Sequence, residues 1–384
     1  RPEDEAADAA SKSKDSPRGC GFATLHVDQA ELEPLDRGRG AGGHVEFAYI
    51  DGWWEVEVTG VAERGKGRER HAVYSLRYSR EVIAEVRSGG VDVVHATVGV
   101  WEDLAGAMTR IGAFRHLCRH NADVIRIVRT VDEIHLAAAD DVLAVVLGFQ
   151  NSSMLGDDPE MAGIFADVGI RVVQVTYNIA NHLGSSCWEP RDGGLTRAGY
   201  RMVAALNDAG VLVDISHVGN ATGRDTVDAS AQPIAITHGN PAAFCDSPRN
   251  KPDDLVAAVA ARGGVIGCTL YPLFMGGADV TRTEYCSMVA SLAESVGVEH
   301  VAIGSDAVLG WNPDSLGWMR NGRWDRATAP SQAPSFPPWP TWFDGPKDFG
   351  SLSDGLDEAG FTPDERDLVL GGNWLRLFGE VFPS

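Results

Sequence analysis

The chain has 384 residues, of which 44% are hydrophobic and 23% are charged, which suits one large globular domain or two smaller ones and argues against a fibrous protein. Its 33 basic and 54 acidic residues give a formal net charge of -21, which disfavours nucleic acid and anionic membranes as partners and leaves small molecules or peptides. The six cysteines form no Cys-x-x-Cys pair, which argues against a zinc ribbon or a disulfide framework and favours a reducing, cytoplasmic location.

Residues 1–70 are predicted to form a polar, partly disordered N-terminal appendage. The first 19 residues have the composition of a disordered tail, and EFAYIDGWWEVEVTGV has that of strands before a polar run. No apolar run approaches the roughly 20 residues of a membrane-spanning helix, so no membrane span is expected. The acidic start does not resemble a signal peptide, although a chain that begins at Arg1 leaves a removed leader open.

From residue 71 to residue 384 short apolar runs alternate with segments of helical period, which predicts βα units. The predicted strands are HAVYSL (71–76), VDVVHATV (91–98), VLAVVLGFQ (142–150), IRVVQVTYN (170–178), VLVDISH (211–217), PIAITH (233–238), GVIGCTLYP (264–272) and HVAIGSD (300–306). Eight near-continuous apolar strands alternating with helices indicate an α/β fold of the TIM type, a (β/α)8 barrel with a short N-terminal appendage. A doubly wound open sheet is the alternative, but no Gly-x-Gly-x-x-Gly follows the first strand.

Polar residues at the carboxyl ends of barrel strands converge on one face, where characterised barrel enzymes keep their sites. The candidates are Tyr78, His95, Gln150, Tyr177, Asn178, His217, His238 and Asp306. His217 and His238 end successive strands and are predicted to be metal ligands, because imidazole nitrogen binds zinc well; buried structural histidines are the alternative. His95 is expected to be a packing residue rather than part of the site.

Two further residues carry predicted roles in chemistry. Asp306, in GSD, is predicted to act as general base or metal ligand, and a helix N-cap is the alternative. Arg249, in CDSPRNKPDD, is predicted to clamp a substrate carboxylate with two hydrogen bonds, and a surface ion pair is the alternative.

The blocks VLVDISHVG, AITHGNPAAFCDSPRNKPDD, HVAIGSD and GGNWLRLF resemble, in this order, the membrane (renal) dipeptidase family of metallopeptidases. The resemblance covers about residues 71–380. It implies an amidohydrolase-type barrel with a binuclear zinc site that hydrolyses dipeptides, and a possible homodimer. His217 and His238 match the two histidines of one zinc, Asp306 matches an aspartate that handles the proton, and Arg249 matches an arginine that helps bind substrate.

The match departs from the family at the other metal positions. The family has a His-x-Asp pair at the end of strand 1, where this alignment places Leu76 and Tyr78. Gln150 replaces the glutamate that bridges the metals, and an amide lacks the charge and the two equivalent oxygens for that task. The His-Val-Asp at 26–28 has the required spacing but is interpreted as an accident of composition within the appendage. Tyr177 replaces a substrate-contacting histidine.

These observations predict a dipeptidase-like metallohydrolase that cleaves an amide bond in a dipeptide or small peptide-like metabolite by metal-activated water. At most one zinc per chain is expected, held by His217 and His238, with Asp306 as the catalytic residue. Substrate contacts are predicted for Arg249, Tyr177, Asn178 and Gln150. A lyase or isomerase that uses the same pocket, or an inactive ligand-binding barrel, is the alternative.

Overall fold

The computed structural model describes residues 80–309 and 337–383 and three strands that precede them in the chain. The strands are β1 (Gly21–Val27), β2 (Val45–Ile50), β3 (Trp53–Val58), β4 (Val91–Gly99), β5 (Ile125–Ile127), β6 (Leu143–Phe149), β7 (Ile170–Gln174), β8 (Leu212–Asp214), β9 (Ala235–Ile236), β10 (Val265–Cys268), β11 (Val301–Ile303) and β12 (Ala307–Leu309). The α-helices are α1 (Arg80–Ser88), α2 (Leu104–His120), α3 (Val131–Ala139), α4 (Glu160–Asp167), α5 (Arg197–Asp208), α6 (Asn220–Ala229), α7 (Asp253–Ala261), α8 (Pro272–Met275), α9 (Arg282–Val296), α10 (Gly350–Glu358), α11 (Pro363–Asp367) and α12 (Asn373–Val381).

The parallel sheet curls until its two ends meet. Its strand order is β11-β10-β9-β8-β7-β6-β4-β1-β12, and β5 pairs with β6 outside this path. β11 and β12 are two parts of one segment, interrupted at 304–306, and they pair with β10 and β1 respectively. This arrangement confirms the predicted (β/α)8 barrel, and the open doubly wound alternative is wrong.

The first barrel strand is β1. The strands predicted between 91 and 306 are all present, whereas HAVYSL (71–76), with Leu76 and Tyr78, lies outside the described residues. The strand that pairs with β4 is β1, in the place predicted for HAVYSL. Thr24 of β1 pairs with His95 of β4, and His26 of β1 pairs with Val308 of β12. The prediction that His26 lies in an appendage outside the barrel is therefore wrong.

The physical reason for this error is an insertion between β1 and α1. In a regular βα unit strand 1 directly precedes the first helix, as HAVYSL does in the sequence, but here the antiparallel hairpin of β2 and β3 stands between β1 and α1 in the chain. Strand pairing depends on backbone hydrogen bonds and not on separation along the chain, so the apolar run in β1 pairs with β4 across the inserted hairpin. For the residues before position 71 other than β1, the assignment to an N-terminal appendage stays a prediction.

An apolar layer fills the amino-terminal half of the barrel interior. It consists of Val93, Val146, Val172, Leu212, Ala235, Val265 and Ala302, one from each of seven strands. Trp374 and Phe378 of α12 pack against this layer at the amino end of the barrel, and Trp374 Nε1 donates to Ile303 O at 3.0 Å. A larger apolar cluster between the outer face of the strands and the surrounding helices completes the core. Packing at the amino end leaves the carboxyl end of the strands for polar residues.

Several helices begin at a threonine that caps them. Thr130, Thr196, Thr281 and Thr362 each accept a hydrogen bond from a backbone N–H of the first turn, and Thr281 and Thr362 form full capping boxes. None of the described helices is long and apolar enough to cross a membrane.

Candidate metal centre and active site

His217 and His238 lie side by side at the carboxyl end of the barrel. They follow β8 and β9, and their side chains are buried, with His238 fully so. The two Nε2 atoms are 3.2 Å apart. Although 21 positions separate them in sequence, adjacent parallel strands bring the two imidazoles to one point.

Residues at the end of β7 and directly after it hold His217. Asn178 Oδ1 lies 2.8 Å from His217 Nδ1, and Gln174 Oε1 accepts from His217 N at 3.3 Å. The ring of Tyr177 stacks on the imidazole with centroids 4.2 Å apart. Asn178 adopts the left-handed conformation, with φ 53°, which asparagine tolerates better than most residues. Asn178 and Tyr177 therefore contact His217, and their predicted contacts with substrate stay predictions.

Asp214 and Thr237 hold the ring of His238. Thr237 Oγ1 lies 2.7 Å from His238 Nδ1 and 2.6 Å from Asp214 Oδ2. Asp214 is buried at the end of β8 and also accepts from Ser216 N at 2.8 Å. Both imidazoles thus have a hydrogen-bond partner at Nδ1, which directs Nε2 toward the shared point between them.

This pair of nitrogens fits a zinc ion. Two imidazole nitrogens at zinc-ligand distance and tetrahedral angle lie about 3.3 Å apart, close to the 3.2 Å between His217 and His238. The amide oxygen of Asn178 only accepts, so it favours a His217 ring with its hydrogen on Nδ1 and a lone pair on Nε2, the form that binds metal. The described residues contain no group of three or more His, Cys, Asp and Glu side chains that could hold a metal ion.

Asp306 lies at the interruption between β11 and β12. It is buried and has a left-handed backbone, with φ 55°, a conformation that costs free energy for a residue other than glycine. The alternative that Asp306 caps a helix is wrong, because the residues that follow it form β12. Its predicted part in proton transfer stays a prediction.

Arg249 is buried behind the two histidines. Its exposed fraction is 0%, so the alternative that it forms a surface ion pair is wrong. Nη1 donates to Ser216 O, Nη2 donates to His238 O at 2.7 Å, and the guanidinium lies 5.2 Å from the ring centroid of Phe274. Burial lowers the pKa of Arg249, and the negative charge of Asp306 partly offsets this effect. Arg249 thus braces the backbone on either side of the site, and its predicted contact with substrate stays a prediction.

Gln150 follows β6 and is buried within the barrel mouth. Its Nε2 donates to Thr97 Oγ1 at 3.0 Å, and its backbone oxygen accepts from Gln174 Nε2. His95 lies on β4, where a Cβ added at Gly148 would come within 2.2 Å of its Nε2. The glycine at 148 therefore makes room for the His95 ring, which is buried as predicted for a packing residue.

Three residues of the site were not predicted from the sequence. Asp214 and Thr237 support His238, and Trp101 packs edge-on against Tyr177 with centroids 5.5 Å apart. Glu102 holds the Trp101 loop, since it accepts from Trp101 N at 3.1 Å and pairs with Arg110 at 2.8 Å. A charged residue inside the apolar run VLVD was the available signal for Asp214.

Residues 44–320 match the sequence model of the membrane dipeptidase family, peptidase family M19. The chain belongs to this family. An amidohydrolase structure from Pseudomonas aeruginosa is 30% identical, with a TM-score of 0.74, over 79% of this chain and 93% of that one. A metallo peptidase from Rhodobacter sphaeroides, liganded with a phosphinate mimic of L-Ala-D-Ala, is 18% identical with a TM-score of 0.66 over 78% of this chain and 90% of that one, and shows the fold.

Two curated relatives of this dipeptidase-family chain are named as dipeptidases. Dipeptidase aclJ of Aspergillus oryzae is 24% identical over 73% of this chain and 62% of its own length. Dipeptidase verJ of Clonostachys rogersoniana is 27% identical over 69% of this chain and 70% of its own length. The chain thus spans somewhat less than two thirds of the Aspergillus relative. The chain therefore shares the family and the barrel fold of these proteins.

Proposed function

We propose that the protein is a zinc-dependent hydrolase that cleaves the amide bond of a dipeptide or a small peptide-like metabolite. The observation that carries this proposal is the convergence of His217 Nε2 and His238 Nε2 at 3.2 Å, at the carboxyl end of a dipeptidase-family barrel. When bound, zinc supplies Lewis acidity that activates water and polarises the scissile carbonyl. The relatives are named as dipeptidases and an amidohydrolase, which gives no support to the lyase, isomerase or inactive alternatives.

The residues around the histidines have distinct proposed tasks. Asp306, between β11 and β12, accepts the proton of the attacking water and passes it to the leaving amine. Tyr177 presents an aromatic face beside His217, where a side chain of the substrate can pack. Arg249 and Gln150 supply N–H donors near the substrate; Arg249 Nε has no hydrogen-bond partner within the described part of the chain. A guanidinium N–H is a strong donor to a carboxylate.

The number of metal ions follows from Gln150. An amide has no charge and offers one oxygen, so Gln150 does not bridge two cations as the family glutamate does. We therefore propose at most one zinc per chain.

Zinc content and dipeptide hydrolysis test the proposal together. The protein and its His217→Ala and His238→Ala variants are compared by metal mass spectrometry and by turnover of a dipeptide panel. We expect about one zinc per chain and measurable hydrolysis in the unchanged protein, and loss of both in the variants. His135→Ala, in which an exposed histidine of α3 is removed, is the matched control and should keep both. Equal zinc content in all four proteins, or hydrolysis without metal, would exclude this centre.

The cytoplasmic location and the possible homodimer stay predictions. Light scattering on the purified protein measures the number of chains in the particle.

A further inference from the structure

Thr237 connects the carboxylate of Asp214 to the ring of His238. Its Oγ1 is 2.6 Å from Asp214 Oδ2 and 2.7 Å from His238 Nδ1. All three side chains are buried, with exposed fractions of 4% for Thr237, 1% for Asp214 and 0% for His238. A carboxylate, a hydroxyl and an imidazole therefore form a chain of short hydrogen bonds away from solvent.

The direction of each hydrogen bond in this chain follows from Asp214. Thr237 Oγ1 donates its single hydroxyl hydrogen to Asp214 Oδ2 at 2.6 Å. Thr237 Oγ1 can then only accept from His238 Nδ1, which must carry the ring hydrogen. In the neutral ring, Nε2 is left with a lone pair, and Nε2 is the atom that faces His217.

The other carboxylate oxygen of Asp214 holds the backbone beside both histidines by hydrogen bonds. Asp214 Oδ1 accepts from Ser216 N at 2.8 Å and from Thr237 N at 3.1 Å. Ser216 Oγ donates to the same oxygen at 2.5 Å and accepts from His238 N at 3.1 Å. One carboxylate thus organises the residue before His217 and the residue before His238.

We propose that Asp214 and Thr237 are positioning residues that keep His238 in the tautomer protonated at Nδ1, with the Nε2 lone pair directed at the point it shares with His217. The metal-binding task of that lone pair rests on the proposed function, whereas the tautomer does not depend on it. A support that acted on packing alone would leave the proton distribution of the ring unchanged when the hydroxyl is removed.

Nitrogen NMR of the metal-free protein measures the tautomer directly. With ¹⁵N-histidine labelling, at a pH about two units above the usual imidazole pKa of about 6.5, protonated and unprotonated ring nitrogens are distinguished. The resonances of His238 are those lost in His238→Gln. We expect His238 to be protonated at Nδ1 in the unchanged protein and in Thr237→Ser, which keeps the hydroxyl. Thr237→Val, which has a similar shape without the hydroxyl, should shift the ring toward protonation at Nε2.

Zinc affinity, measured by competition with a chelating dye, gives the second readout. Loss of an outer partner of a metal-binding histidine costs about 10-fold to 100-fold in affinity, so Thr237→Val should weaken zinc binding by that factor and Thr237→Ser should not. Thr226→Val is the matched control: Thr226 is equally buried, but its Oγ1 donates to Thr222 O within α6, and both readouts should stay unchanged.

The outcomes separate this proposal from the proposed function. If His238 in the unchanged protein is protonated at Nε2, or if Thr237→Val keeps both the tautomer and the zinc affinity, the positioning role is overturned. The first of these results needs no variant, so the test holds even if Thr237→Val does not fold. If His238 has the expected tautomer, altered in Thr237→Val, but no zinc binds, the positioning role stands and the metallohydrolase proposal fails.

Discussion

Lys251 is a buried cation beside the candidate site. It is two positions after Arg249, its exposed fraction is 1%, and Nζ donates to Val218 O beside His217. Burial disfavours the ammonium form and lowers the pKa of Lys251 to about 8. A lysine in the unfolded chain titrates near its ordinary value of about 10.4. Folding therefore releases a proton from Lys251 between these two pH values.

This proton release predicts a pH-dependent stability. Between about pH 8 and pH 10.4 the unfolded chain binds more protons at Lys251 than the folded chain, so the contribution of Lys251 to stability rises with pH. Below pH 8 both states are protonated and the contribution is constant. We expect the free energy of unfolding, relative to that of Lys251→Met, to increase across this window in urea titrations. The free energy of unfolding of Lys347→Met, at an exposed lysine, should change with pH as that of the unchanged protein does. If Lys251→Met shows this same pH dependence, the buried lysine does not titrate as described.

At the scale of single elements, the segment 185–195 is docked on the start of α6. The N-cap of α6, Gly219, has no side chain to cap it, and Asp192 takes this task from a distant part of the chain. Asp192 Oδ2 accepts from Ala221 N, and Asp192 Oδ1 accepts from Thr222 Oγ1, both at 2.6 Å. The same segment brings Cys187 N to His217 O at 2.9 Å. The cap therefore also fixes a loop that borders the site.

Replacement of Asp192 by asparagine should destabilise the protein in a pH-dependent way. Burial raises the pKa of Asp192, but hydrogen bonds from Thr222 and from backbone N–H groups outweigh it, so the pKa is lowered overall. A lowered carboxyl pKa stabilises the fold above the unfolded value of about 3.9, and this contribution is lost as pH falls through the folded pKa. We expect Asp192→Asn to cost about 0.5–2 kcal/mol near neutral pH, and less in acid.

Denaturant titrations at neutral pH and below pH 4 measure this difference. Asp228→Asn, at an exposed position of the same helix, is the control and should change stability by no more than about 0.5 kcal/mol. A cost for Asp192→Asn that is the same at both pH values would show that its charge does not contribute to the cap.

At the scale of the whole molecule, the two ends of the barrel have separate tasks. The amino end is closed by α12, whose Trp374 fills the space left by Gly267: a Cβ added there would lie 2.8 Å from the indole ring. The carboxyl end holds the two histidines and their hydrogen-bond partners. This separation is the usual division between stability and catalysis in such barrels.

Trp374→Ala should therefore lower stability without altering the site of the folded protein. A buried tryptophan replaced by alanine costs about 3–5 kcal/mol, because the side chain loses its burial and leaves a cavity. Leu375→Ala, at the next and only partly buried position, should cost clearly less. Urea unfolding measures both, and zinc content per folded molecule should stay the same in both variants. Equal losses of stability in the two variants would argue against α12 as the plug of the barrel.

Local patterns in the sequence were sufficient for most elements and for the place of the histidines. Apolar runs of strand length and segments of helical period are local features of the sequence, and they were enough to predict β4 and the strands from β6 to β11. The ends of successive parallel strands must lie together, and this rule was enough to bring His217 and His238 into one candidate site.

Tertiary structure alone decided which segment is strand 1 and how the histidines are held. β1 pairs with β4 although the inserted hairpin separates them in the chain, and the spacing of residues does not reveal which strands pair. Asp214 reaches Thr237 across 23 positions, and Arg249 reaches Ser216 across 33. Such contacts depend on distance and direction in space, which apolar periodicity does not encode. The sequence by itself therefore determined the barrel and the two imidazoles, and folding decided their hydrogen-bond partners.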